Sequence, residues 1–278
     1  MALKKPQSLN DVIGQDKVRE ILSILISAAR QRGEALDHLL FVGSSGLGKA
    51  TFANIVANEM GVNMKVMTGS AVTRAGEMAQ ILTNLYAGDV LFIDEINRLN
   101  RAVQEVMLPA MENFVLDIVI GKGSSARSIQ LKLPHFTVIG TTSKLSQVNE
   151  QLIAQTYVCD FVPYDIKAIG KIILSFANQQ GIPIDESGAN IIAEHGNGNL
   201  SQISNLIDKV RKYSDVRADG TITAKVAKDA IKAFGLNLSA PLEERERQPI
   251  PDSVKMFVWR RDNGRCVVCG SQEKLEYD

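Results

Sequence analysis

Two short stretches carry residue types spaced for phosphate chemistry. In GSSGLGKAT, Gly43 to Thr51, the residues Gly43, Gly48 and Lys49 follow the spacing G-x-x-x-x-G-K, with Gly46 and Leu47 inside the loop. Glycines let such a loop turn its backbone N–H groups towards phosphate oxygens, and the lysine neutralises the β and γ phosphates. The apolar run LLFVG before it predicts a strand, and ATFANIVANEM after it a helix whose N-terminus adds partial positive charge. Without that context the glycines would be an ordinary turn. The usual pattern places Ser or Thr after the lysine, its hydroxyl on Mg²⁺. Here Ala50 stands there, and Thr51 is one residue further on, about 100° around a helix.

The second stretch is VLFIDEI, Val90 to Ile96, a strand-like run ending in two carboxylates. Asp94 is suited to holding Mg²⁺, directly or through water, and Glu95 to polarising an attacking water. Alone, such a pair is usually a solvated turn. Downstream of a phosphate loop, with a helix and a strand between them, it points to bound ATP or ADP with Mg²⁺.

The surrounding pattern supplies the elements to position these groups. Strand-like MKVMTG, DVLFID and HFTVIGTTS alternate with helical stretches, which predicts an α/β fold with a parallel sheet and helices on both faces. FVLDIVIGKGSSARSIQLKL reads as a β-hairpin inserted in that domain. From about Asp165, four amphipathic stretches (166–178, 186–194, 201–214 and 224–234) predict a small all-α domain. SAPLEERERQPIP is charged and proline-punctuated, as linkers are. The expected organisation is a nucleotide-binding domain over 1–163, a helical lid over 164–236, a linker over 237–252 and a short terminal segment over 253–278.

Bulk properties agree with a globular chain: 278 residues, 45% hydrophobic and 22% charged. Lys plus Arg is 31 and Asp plus Glu is 31, so no global basic field advertises nucleic acid, although a local stripe can hide in a neutral total. The apolar runs are far short of a membrane span and no secretory signal is legible, so a cytoplasmic location without membrane attachment is expected. Three cysteines make no disulfide framework.

The phosphate loop, the acidic pair and the helical lid together resemble the AAA+ ATPases. SLNDVIGQDKV, RGEALDHLLFVG, ANIVANEMGVN, ILTNLYAGDVLFIDEINRLNRAVQE and MENFVLDIVIGKGSSARSIQLKLPHFTVIG closely resemble RuvB over about residues 4 to 236. That family is the ring-forming motor of Holliday-junction branch migration, a helicase-type enzyme of DNA recombination and repair. The resemblance implies a homo-hexameric ring acting on branched DNA. It places Lys5, Pro6 and Val12 to Gln15, Val12 and Ile13 among them, near the adenine. It makes Thr142 the polar sensor at a strand end, and the hairpin Phe114 to Leu133 the docking surface for a RuvA-like partner.

The sequence also departs from the family text. Besides Ala50, PLRDRFG becomes QLIAQTY, so Ile153 and Gln155 fall where arginines belong, one of them the finger that reaches a neighbouring subunit's γ-phosphate. GTPR becomes GNLS, putting Ser201 where a sensing arginine is expected. These changes strike one chemical step, so ATP binding is expected to survive and hydrolysis to be impaired. Compensation by Arg101, Arg127 or Lys144 is the alternative. In place of the family's winged helix, IPDSVKMFVWRRDNGRCVVCGSQEKLEYD resembles the opening of an HNH endonuclease. Cys266 and Cys269 would be half of a four-ligand Zn²⁺ site. No histidine follows within the sequence, so no cleavage is expected from this segment. Two other readings stand beside the motor: a non-hydrolysing ATP-binding scaffold that positions an HNH nuclease on DNA, and an inactive truncated product.

Overall fold

Leu39, Leu40 and Phe41 are apolar without interruption, the composition of a strand covered on both faces. In the computed structural model, which describes residues 6–120 and 127–235, they form the core of β1 (Leu39–Val42). The nucleotide-binding part also contains α1 (Asp16–Arg32), α2 (Lys49–Met60), β2 (Met64–Thr68), α3 (Ala75–Thr83), β3 (Val90–Asp94), α4 (Arg101–Asn113), β4 (Val115–Ile120), β5 (Arg127–Lys132), β6 (Thr137–Thr142), α5 (Glu150–Ala154) and β7 (Tyr157–Asp160). The main sheet is parallel, in the order β2-β3-β6-β1-β7. Alternation along each strand divides its side chains between two cores. Leu39, Phe41, Phe92 and Ile139 pack with α1 and α2, whereas Leu40, Leu91, Ile93 and Val138 pack with α3 and α4.

The all-α lid follows as α6 (Ile166–Gln180), α7 (Glu186–Glu194), α8 (Leu200–Arg217) and α9 (Ala224–Ala233). Its buried Ile169, Ile173, Ile203 and Val210 join the first of those two cores. Asp165, Asp185, Asn199 and Thr223 cap the four helices through side-chain oxygens, a pattern that starts each helix where the polar residue sits.

The hairpin forms as expected: β4 and β5 pair antiparallel, with Leu116 opposite Leu131 and Ile118 opposite Ile129. α4, α5 and β7 were not anticipated from sequence. α4 carries Pro109 in its interior, which weakens a helical reading. β7 has only four residues, and its strand character comes from pairing with β1, Leu39 beside Tyr157. The linker, the terminal segment and Cys266 and Cys269 lie outside the described residues, as does Lys5. Cys159 is buried in β7, and burial pushes its thiol up to about 11. No helix among the described residues is long and apolar enough to cross a membrane.

His38 ties three elements together just before β1. Its Nδ1 accepts from the Val138 N–H of β6 at 2.9 Å, so the proton sits on Nε2, which donates to the Met111 carbonyl of α4 at 3.1 Å. Burial pushes its pKa below the ordinary value, opposed by the Met111 bond and by Asp37. Protonation would cost the Val138 bond. The unfolded chain therefore takes up the proton first, and the stability is complete above about pH 6.5 and lost as pH falls towards the depressed folded value. The denaturant midpoint is expected to drop between pH 7 and 5.5. His38→Asn, which keeps an acceptor for Val138, should flatten that slope; an unchanged slope would contradict the assignment.

Candidate nucleotide site

The expected site residues converge at the carboxyl ends of β1, β3 and β6, the edge where open parallel sheets bind ligands. The loop after β1 is locked to β6 by the Gly43 N–H donating to the Thr142 carbonyl at 3.0 Å. Gly43, Gly46 and Gly48 all have positive φ, and a Cβ at Gly46 would lie 2.2 Å from Asn199 Oδ1. Only glycine tolerates both conditions there. Leu47 is buried beneath the loop. The Lys49 ammonium donates to the Gly43 and Ser44 carbonyls at 2.6 and 2.8 Å. Burial lowers its pKa, with the Asp94 carboxylate acting against the shift.

Two cavities meet at this loop. One, of about 530 Å³, is lined by Gly46, Lys49, Ala50, Asp94, Ser201 and Asn205 among others. The other, of about 430 Å³, is lined by Pro6, Val12, Ile13, Tyr164, Phe176 and Gln179 among others. Gly48 and Thr51 line both. A cavity holding a lysine and a carboxylate beside one lined by Val12, Ile13, Tyr164 and Phe176 suits a polyphosphate joined to a flat ring. These residues fit ATP or ADP. The donor set fits Mg²⁺ with Asp94 as the carboxylate; Ala50 offers no oxygen from its side chain.

At the acidic pair, the adjacent strand end does more than sequence indicated. Thr141, buried in β6, donates to Asp94 Oδ1 at 2.5 Å and accepts from the Glu95 N–H at 3.1 Å. Thr142 instead turns to Asn97 Oδ1 and the Lys144 carbonyl, both at 3.1 Å. Glu95 has left-handed backbone geometry (φ 53°, ψ 56°), a costly conformation for a side-chain-bearing residue. Its carboxylate pairs with Arg98 at 3.2 Å, on a half-exposed surface where such pairs are weak. Thr141, Asn97 and Arg98 were missed from sequence, where only the threonine pair TT after a strand was a signal.

The positions that depart from the family text are resolved individually. Ala50 is exposed at the start of α2, and Ser201 is exposed at the start of α8. Ile153 packs against the second core. Gln155 lines a different cavity, of about 670 Å³, with Leu36, His38, His135 and Tyr157, at the amino ends of the strands. It is therefore at the opposite end of the sheet from its own phosphate loop. Arg101 pairs with Glu105 on the surface, and neither it nor Lys144 lines the two nucleotide cavities. The side chain of Arg127 lies outside the described residues.

Thr141→Val removes the hydroxyl that both acidic residues use. It should destabilise the fold by about 1 kcal/mol, because the partly buried Glu95 N–H loses its acceptor. It should also weaken the gain in nucleotide affinity on adding Mg²⁺, measured by calorimetry, while Thr141→Ser retains most of both. An unchanged Mg²⁺ response in the valine variant would remove Thr141 from the site.

Comparisons with known proteins agree with this geometry. Residues 4–159 match the family described as the Holliday junction DNA helicase RuvB P-loop domain, and residues 164–237 match the RuvB AAA lid domain. The chain is 46% identical over 257 residues to the RuvB subunit of the Holliday junction branch migration complex of Chloroflexus aurantiacus, covering 91% of this chain and 72% of that protein. With the RuvB subunit of Thermomicrobium roseum it shares 48% identity over 230 residues, 82% of this chain and 65% of that one. The solved structure of the Thermotoga maritima RuvB branch migration motor superimposes with a TM-score of 0.75 at 33% identity, over 84% of this chain and 73% of that one. A point mutant of the same motor gives 0.77 at 34% identity, over 84% and 74%. The sheet order, the loop between β1 and α2 and the four-helix lid are thus those of an AAA+ P-loop protein, and the chain belongs to the RuvB family.

Proposed function

We propose that this chain is an ATP-binding, RuvB-class motor subunit acting on branched DNA in recombination and repair, with its hydrolysis step weakened. The observation that carries the weakening is the make-up of the phosphate cavity. Among the described residues lining it, Lys49 is the one cation, with an alanine at position 50 and serine at position 201. Asp94 would hold Mg²⁺, which supplies charge neutralisation at the β and γ phosphates when bound. Backbone N–H groups and Lys49 suffice for ground-state binding. Transition-state charge needs further donors and cations, and an arginine finger alone is worth about 10³–10⁵ in rate where one is used. Ile153 is apolar and packs against the second core, so it offers no cation to a neighbour.

Family membership supports a homo-hexameric ring and a RuvA-like partner. For the partner, the hairpin offers Ile129 and Leu131, 52% and 41% exposed on one face of β5. Two large apolar side chains in the open on an edge strand suit a protein interface. A second reading, a non-hydrolysing scaffold that positions a nuclease, is favoured by the sequence from Ile250 onwards, where Trp259, Arg260 and Arg261 precede Cys266 and Cys269. Two thiolates are half of a zinc set, so any metal there needs ligands from elsewhere.

Steady-state ATP turnover with and without four-way junction DNA tests the main reading. Wild-type protein should bind ATP in a manner abolished by Lys49→Ala, yet turn over slowly with little stimulation by DNA. Ala50→Thr should raise turnover only in part, since no arginine is restored. A fast wild-type rate that Lys49→Ala abolishes would overturn the impairment, and full recovery from Ala50→Thr alone would refute the arginine argument. Separately, Leu131→Asp should reduce binding to a RuvA protein at least tenfold in a pull-down titration without shifting the melting temperature; wild-type binding would exclude this face of the hairpin.

A further inference from the structure

Three successive carbonyls of the phosphate loop are held from outside the loop. The Ser45 carbonyl accepts from Asn199 Nδ2 at 2.7 Å, the Gly46 carbonyl from the Leu200 N–H at 3.0 Å, and the Leu47 carbonyl from the Tyr164 hydroxyl at 3.3 Å. Asn199 is itself fixed at the other end of its carboxamide. Its Oδ1 accepts from the Ser201 and Gln202 N–H groups at 3.0 and 3.1 Å as the cap of α8. Gly46 leaves the space this side chain fills.

The peptide bond turns this grip into a statement about donors. The unit is planar and trans, and no cis bond occurs among the described residues, so each carbonyl points away from the N–H of the following residue. Anchoring the carbonyls of 45, 46 and 47 against the lid therefore orients the N–H groups of Gly46, Leu47 and Gly48 in the opposite sense. Those are the amides a phosphate loop uses. We propose that Asn199 is a positioning residue for nucleotide binding: through Ser45 and the start of α8, the lid presets the loop amides that receive the phosphates. The inference rests on the nucleotide-binding reading above and assigns a specific residue to it.

Asn199→Ser tests it. Serine also caps helices, so α8 keeps its start, but its hydroxyl is too short to span to the Ser45 carbonyl. Affinities for ATP and ADP, measured by calorimetry on the full chain, should both fall about fivefold, the effect of one neutral hydrogen bond. Amide hydrogen exchange at Gly46, Leu47 and Gly48 should accelerate, with exchange at Ile203 to Val210 inside α8 unchanged. Wild-type affinity together with wild-type loop exchange would overturn the proposal. So would acceleration throughout α8, which would mean that the residue merely supports the lid. Should the wild-type chain bind neither nucleotide, the proposed function falls, and loop exchange in the variant still decides the interlock.

Discussion

With β6 paired on one side to β1 and on the other to β3, Thr142 lies beside Val42 and Gly140 beside Ile93. The three strands therefore end together, and whatever follows each of them shares one edge of the sheet. The loop from Gly43, the carboxylates at 94 and 95 and the threonines at 141 and 142 are neighbours for that reason. Both faces of the sheet are covered by helices, so polar chemistry has no place except at the strand ends. Buried β1 forces its loop outwards, and the Gly43 bond to Thr142 prolongs the pairing past the last strand residue.

The lid is a partner in this site as well as a neighbour. Its apolar residues share a core with α1 and α2, and its α8 begins against the phosphate loop. A helix N-terminus carries partial positive charge, which suits the approach of an anion even where side chains contribute little. Here the side chains that α8 brings to the phosphate cavity from its first two turns, Ser201, Ser204 and Asn205 among them, are neutral. Reliance on backbone dipoles and a lysine, with few groups tuned to the transition state, is the ground on which the weakened hydrolysis is proposed.

Most of the architecture was legible in the residues. Unbroken apolar runs announced β1 and β3, the glycine spacing announced the loop, and amphipathic spacing announced the four lid helices. Less visible were α4, where Pro109 interrupts the helical signal, and β7, where four residues give no periodicity to read. The hairpin was legible because alternating apolar residues flank a glycine-rich tip. Val12 and Ile13 carried no local signal, and the expectation that they lie near an adenine came from family resemblance alone.

The sequence by itself carried the phosphate-loop spacing with its Ala50 and the carboxylate pair, because each depends on residue type at a local spacing, whereas Ile153, Gln155 and Ser201 stood out only against the text of the family it resembles. Only the tertiary structure decided that Thr141, and not its neighbour, holds Asp94, since strand register and alternation choose which of two adjacent side chains shares a face of the sheet with that carboxylate. It alone placed Ile153 against the second core and Gln155 at the far end of the sheet. It alone set Asn199 against Ser45, a contact between residues 154 apart in the chain that no local pattern encodes. Spacing along a chain specifies what a segment can do, and packing across it specifies which atoms meet.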